Sequence, residues 1–176
     1  MERLINIFAI ITLGILVWQD FRSRLISWWL LPILACAFLF LGLQKNAMWE
    51  IGREFIFNIS FVVFQFILLW IWFSLKNKKS VKLINTQIGL GDVFFMICIA
   101  LAFSPANFLV FYTLGMVLTL FVIVFVKTFR AKINPEIPLA GALALPLIGL
   151  CFWRLIDPAK NFYCDDWLMQ LLEFNS

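Results

Sequence analysis

Apolar residues fill long runs along this chain, and the breaks between them are short clusters of charged residues, Gly or Pro. The runs predict six membrane-spanning helices, each of roughly the 20 residues needed to cross a hydrocarbon core of about 30 Å. The first run is Leu4 to Trp18, the second Ile26 to Leu43 and the third Phe55 to Leu75, the last two separated by the polar stretch Gln44 to Glu54. From Val93 to Val126 the chain is apolar for 34 residues, interrupted only at Ser104-Pro105-Ala106-Asn107. One straight helix of that length would reach about 51 Å at about 1.5 Å per residue, so two helices with a tight turn fit better. The fourth helix is then only about 11 residues if it begins at Val93, and must start earlier, run past Pro105, or stop short of a full crossing. A sixth run, Leu139 to Ile156, holds Gly141, Pro146 and Gly149, which membrane helices tolerate when neighbours satisfy the freed backbone.

Composition supports the same reading. Of 176 residues 64% are hydrophobic and 14% charged, a surplus of apolar surface that one soluble core cannot hide. The 21 Phe and 8 Trp suit lipid-facing helices and interfacial belts. The expected fold is an all-α, polytopic membrane bundle of about six transmembrane helices, occupying residues 1–156. Residues 157–176 form a C-terminal tail in which Asp166, Gln170 and Glu173 share one helical face opposite Trp167, Leu168, Leu171 and Leu172. That tail reads as a short interfacial helix, with a frayed polar end as the alternative. The first apolar run lacks a small-residue cleavage site before Asp20 and is taken as retained.

Counting Lys and Arg in alternate connections orients the bundle. Nine lie on one side (Arg22, Arg24, Lys76, Lys78, Lys79, Lys82, Lys127, Arg130, Lys132) and five on the other, which also carries seven of the ten acids. The first side is read as cytoplasmic, with both termini outside; a five-span arrangement would move the C-terminus. The Lys76 to Lys82 cluster is an anchor of that side, and no nucleic-acid patch is present.

The chain has no histidine, which removes Ser-His and Cys-His nucleophilic pairs and the HExxH zinc site. Its four cysteines have no CxxC spacing, so neither a disulfide framework nor a zinc site is expected, and no cofactor is. Carboxylate chemistry remains. Only Asp20, Asp92 and Glu136 lie on the cytoplasmic side, and the first two abut the membrane, where an ionisable group is a functional hypothesis by default. If the first and fourth helices pack together, Asp20 and Asp92 meet at one depth. Two adjacent carboxylates share a proton, and the ionised one acts as base toward a water that attacks a peptide carbonyl. Asp20 lies near a helix C-terminus and Asp92 near a helix N-terminus, so the dipoles favour Asp92 as the charged member. Gly89 and Gly91 beside it let a peptide backbone approach closely. Taken singly, Asp20 is a helix-flanking acid and Asp92 an N-cap.

These residues resemble a known family. Gly89-Leu90-Gly91-Asp92-Val93 resembles the GxGD motif of aspartic membrane proteases, in particular the GxGDVK form of type IV prepilin peptidases. Gln19-Asp20-Phe21-Arg22-Ser23-Arg24-Leu25-Ile26, with Leu30-Leu31-Pro32 after it, is similar to that family's D-x-R-x-x-x-I-P-N segment, and Ile137-Pro138-Leu139-Ala140-Gly141-Ala142-Leu143-Ala144 to its I-P-F-G-P-x-L-A helix start. The resemblance implies an aspartic endopeptidase of the cell membrane, with Asp20 and Asp92 catalytic and Gly89 and Gly91 as motif backbone. It also implies prepilin-like precursors as partners, cut at the cytoplasmic face. The extra N-terminal region and paired CxxC motifs of the methylating members are absent from these residues, so the likeness is to short, peptidase-only forms. Two departures stand out: Ser27-Trp28 where Pro-Asn is common, and Phe94 where Lys is common. The rival readings are a catalytically silent relative that binds prepilin-like helices or scaffolds a secretion complex, a proton-relaying transporter, and a presenilin-like protease.

Overall fold

The computed structural model describes residues 1–23, 25–78, 89–129, 139–157 and 162–165. Among them the structure is entirely helical: α1 (Glu2–Ser23), α2 (Leu30–Leu43), α3 (Met48–Asn77), α4 (Leu90–Ala100), α5 (Pro105–Phe129) and α6 (Leu139–Ile156). This is the helical membrane bundle expected from the apolar runs. Three of the helices, α1, α3 and α6, are long and apolar enough to cross a bilayer by themselves.

The helix bounds differ from the apolar runs in instructive ways. α1 and α3 outgrow their runs because polar residues join the helix at both ends; the amide of Ala47 donates to the Glu50 carboxylate, a cap inside the polar stretch that was read as connection. α2 starts four residues later than its run, since residues 25–27 are spent on a loop whose Ser27 N–H donates to Gln19 Oε1 at 3.1 Å. α4 resolves the three options for the fourth helix: it begins at Leu90, ends at Ala100, and spans only about 16 Å. A turn over residues 101–104 follows, and Pro105, which disfavours helix at Ser104 before it, serves as the first residue of α5.

A helix ending inside apolar surroundings leaves carbonyls without partners. Asn58 of α3, fully buried, supplies them: its Nδ2 donates to Ala100 O and Phe103 O, each at 2.9 Å. Asn58→Leu is therefore expected to cost about 1–3 kcal/mol, read as a lower unfolding temperature in detergent or lipid.

α1, α2, α4 and α6 form a ring, with α1 against both α6 and α2, α2 against α4, and α4 against α6. α3 and α5 pack on each other and lean on that ring from one side, α3 on α4 and α5 on α6. Leu13, Leu16, Leu34, Phe95, Ile99, Leu143 and Leu147 fill the centre. The Glu2 end of the ring is tied by polar contacts. Glu2 pairs with Lys45 at 3.5 Å and with buried Arg154 at 3.7 Å, and Asn6 Nδ2 donates to Cys151 O.

Residues 162–165 close that same end. Tyr163 donates from its hydroxyl to Phe38 O and accepts the Asn46 amide at its carbonyl, while the Asp165 carboxylate accepts from Ser104 and from the first amides of α5. This part of the tail is thus docked into the bundle. The amphipathic stretch from Asp166 onward lies outside the described residues, as do Arg24, Lys79, Lys82, Arg130, Lys132, Glu136 and Lys160.

Candidate active site at the N-terminus of α6

Asp20 lies one turn from the end of α1 and is only 4% exposed. Asp92 lies in the first turn of α4, whose N-cap is Gly89 and not Asp92 itself, as the capping alternative would have it. Gly89 is extended (φ −69°, ψ 144°), its carbonyl accepts the Asp92 amide at 3.1 Å, and the Asp92 carboxylate reaches back to the Gly89 N–H. Far apart in sequence, the two aspartates come together because α1 and α4 both border α6.

The contact that joins them was not visible as such in the sequence. The first amides of α6 have no intrahelical partner, and they turn to the aspartates. The Ala140 N–H donates to Asp92 Oδ1 at 2.9 Å, and the Gly141 N–H donates to Asp20 Oδ2 at 2.6 Å. Two successive peptide groups thus hold the two carboxylates side by side, close enough for each to feel the other's charge. The dipoles of α1 and α4, which by themselves favour Asp92 as the charged member, are not the only ones at work: the positive end of the α6 dipole faces both carboxylates.

Glycine is required where these elements meet. A Cβ on Gly141 would stand 2.9 Å from Asp20 Oδ2 and 3.0 Å from Phe21 Cε2, both closer than side chains normally approach. A Cβ on Gly91 would stand 3.1 Å from Ile26 Cδ1, so Gly91 sets how closely the α1–α2 loop packs on α4. Gly89 faces the Asp92 carboxylate, with 3.2 Å between its would-be Cβ and Oδ2. The motif glycines therefore shape the backbone around the aspartates, each against a different neighbour.

Of the two departures from the family pattern, Ser27 uses its backbone N–H to anchor the α1–α2 loop, and Trp28 stands 80% exposed beside it. Phe94, two residues past Asp92, is also exposed. Cys98 and Cys151 are buried in the ring and Cys36 is exposed; none of the four cysteines is in a disulfide, and among the described residues no group of His, Cys, Asp or Glu is placed to hold a metal ion.

Sequence reasoning missed the α6 amides and Asn58. The resemblance at residues 137–144 pointed to the first of these without giving it a role; backbone donors carry no residue signature. Nothing in the pattern marked Asn58, which looks like a stray polar residue in an apolar run.

No curated protein and no solved structure matches the chain. A family model described as the type IV leader peptidase family matches residues 7–124, a stretch that contains both aspartates and both motif glycines and stops short of α6. That match covers more than half of the sequence, and with it the chain belongs to the type IV leader peptidase family.

Proposed function

We propose that this protein is a membrane-embedded aspartic endopeptidase that removes the leader from prepilin-like precursors, with Asp20 and Asp92 as its catalytic residues. It crosses the cell membrane several times, both termini outside, and presents the Asp20 end of the bundle to the cytoplasm. The observation that carries the reading is the pair of carboxylates held by consecutive amides of α6.

Two carboxylates this close do not both ionise, so the pair holds one proton. The ionised member takes a proton from a water, whose oxygen attacks the scissile carbonyl carbon, while the protonated member donates to the carbonyl oxygen. Collapse of the tetrahedral intermediate breaks the C–N bond: the first carboxyl returns its proton to the leaving amine, and the second, now ionised, takes a proton back from the intermediate's hydroxyl as the C=O bond re-forms. Charge and protons balance, and the pair returns to its single-proton state. Neither histidine nor a metal ion enters these steps. The amides of Ala140 and Gly141 hold one oxygen of each carboxylate in place, which is the preorganisation such a step needs.

The test is incubation of the purified protein in lipid with candidate precursors from the same genome, each carrying a basic leader before an apolar segment, followed by mass determination of the products. A single cut between leader and apolar segment is expected. A folded protein that binds these precursors and cuts none of them would instead be a silent scaffold of the same fold.

A further inference from the structure

The apolar stretches of the helices differ in length, and the longest belong to the flanking pair. In the ring, Leu4 to Trp18 on α1 and the whole of α2 each cover about 21–22 Å, α4 about 16 Å and α6 about 27 Å. On the flanking pair they are long, about 31 Å from Phe55 to Leu75 on α3 and about 33 Å from Pro105 to Val126 on α5.

At the Glu2 end, α1, the α2–α3 loop, α6 and residues 162–165 are tied by the Glu2, Asn46 and Tyr163 contacts, and Asp165 binds the start of α5. At the other end, where the aspartates are, the apolar stretches stop at different heights.

Side-chain contacts give the register. Asn58 meets the end of α4, Phe61 packs edge-on against Phe108 and Tyr112, and Gln65 bonds Tyr112, whose hydroxyl reaches Met96. Asp92 lies one turn beyond Met96, level with about Leu68 of α3. From that level α3 runs on to Asn77, about 14 Å further, and α5 to Phe129, about 20 Å further. On the opposite flank α1 ends only three residues past Asp20.

Polar and aromatic markers follow the same step. On the short flank Trp18 is exposed with the Arg22 guanidinium over its ring at 5.1 Å, and Trp28 and Trp29 are exposed beside it, all near the depth of the aspartates. On the long flank Trp70 and Trp72 stand slightly beyond that depth, and the first cation, Lys76, about 12 Å beyond it. Tryptophan belts and Arg or Lys mark the headgroup level of a bilayer. The two flanks mark it at different heights.

We propose that the bilayer is thinned against the α1–α2 flank, so that lipid headgroups descend there to the depth of Asp20 and Asp92 while α3 and α5 keep full thickness on the other side. The occupant of the short flank is lipid: its exposed apolar face, with Leu4, Phe8, Ile11 and Ile15, ends in an aromatic and basic rim suited to anionic headgroups. A short apolar span is accommodated by such thinning at modest cost. The consequence, which rests on the peptidase reading above, is that water and an extended peptide reach the carboxylates from the side through a headgroup layer, while α3 and α5 form a back wall.

Depth measurements test this without any substrate. Spin labels are placed at Leu25 (74% exposed) on the short flank and at Leu68 (49% exposed) on the long flank, both near the depth of the aspartates, and at Phe8 and Ile56, each about 18 Å from that level toward the Glu2 end. The background is Cys36→Ser with Cys164→Ser, leaving buried Cys98 and Cys151. In dioleoyl phosphatidylethanolamine–phosphatidylglycerol vesicles, accessibility to a water-soluble nickel chelate is expected to be several-fold higher at Leu25 than at Leu68, with Phe8 and Ile56 alike. Equal values at Leu25 and Leu68 overturn the proposal. So does a difference there matched by Phe8 lying deeper than Ile56, which is the pattern of a rigid tilt. Because the readout is depth, loss of the peptidase reading leaves this result unaffected.

Discussion

Asp20→Asn and Asp92→Asn are each expected to reduce precursor cleavage by about a thousandfold or more, the scale on which a positioned acid or base contributes to proton transfer. In the proposed mechanism the pair works as one unit with one proton, so the double substitution is expected to lose no more than either single one. Both variants should still fold. Asparagine keeps an oxygen that can accept from the α6 amide at 2.6 Å or 2.9 Å, and it removes the cost of keeping one of two adjacent carboxyls protonated at neutral pH. Melting temperatures are therefore expected to be unchanged or higher, and binding of uncut precursor to persist. Cleavage kinetics beside thermal unfolding in the same lipid check both halves. Retained cleavage in either variant would remove that aspartate from the chemistry, and a silent scaffold would register no change in any function on either substitution.

Gly141→Ala is the second large effect, and it separates positioning from chemistry. The added methyl would sit 2.9 Å from Asp20 Oδ2 and 3.0 Å and 3.1 Å from two carbons of the Phe21 ring. Neither neighbour is the free end of a flexible chain, since Asp20 is held at its oxygen by the Gly141 N–H. One of the two must shift by several tenths of an ångström, and misplacement on the scale of an ångström can cost about a hundredfold in rate. The expected result is a kcat lower by about 10- to 100-fold with KM little changed, alongside a stability loss of about 1–3 kcal/mol. Gly149→Ala on the same helix is the control. A Cβ there meets nothing within 4 Å, so the substitution should leave cleavage intact and stabilise the helix by up to about 1 kcal/mol. Equal behaviour of the two variants would dismiss the idea that the N-terminus of α6 positions the carboxylates.

Much of the architecture was legible because the strongest signal in a membrane chain is local. A long apolar run between charges has one low-energy solution, a helix with its own backbone satisfied. The sixth run coincides with α6 from Leu139 to Ile156, and the break at Ser104-Pro105 falls where α4 gives way to α5. Asp20 and Asp92 were legible for a related reason, as acids placed beside apolar runs in a chain that lacks histidine.

Where the reading fell short, the cause was a polar contact that hydropathy does not register. The start of α2 depends on Gln19, whose side chain holds Ser27 in a loop, and the polar stretch before α3 turned helical around the Ala47–Glu50 cap. The shortness of α4 is tolerated only because Asn58, 42 positions away from Ala100, supplies donors to its orphan carbonyls. Hydropathy has no means of seeing such a debt or the residue that settles it.

The amino-acid sequence by itself determined that this chain is an apolar helical bundle, which residues can carry charge inside it, and, through Asp20 and Gly89-Leu90-Gly91-Asp92, the family to which it belongs. Tertiary structure alone decided that the two aspartates share the first amides of α6, that Gly141 must lack a side chain, and that two long helices rise past four shorter ones. The physical reason is that apolar periodicity and helix length act between near neighbours. The position of a carboxylate is set instead by backbone donors, and any residue type but proline supplies those.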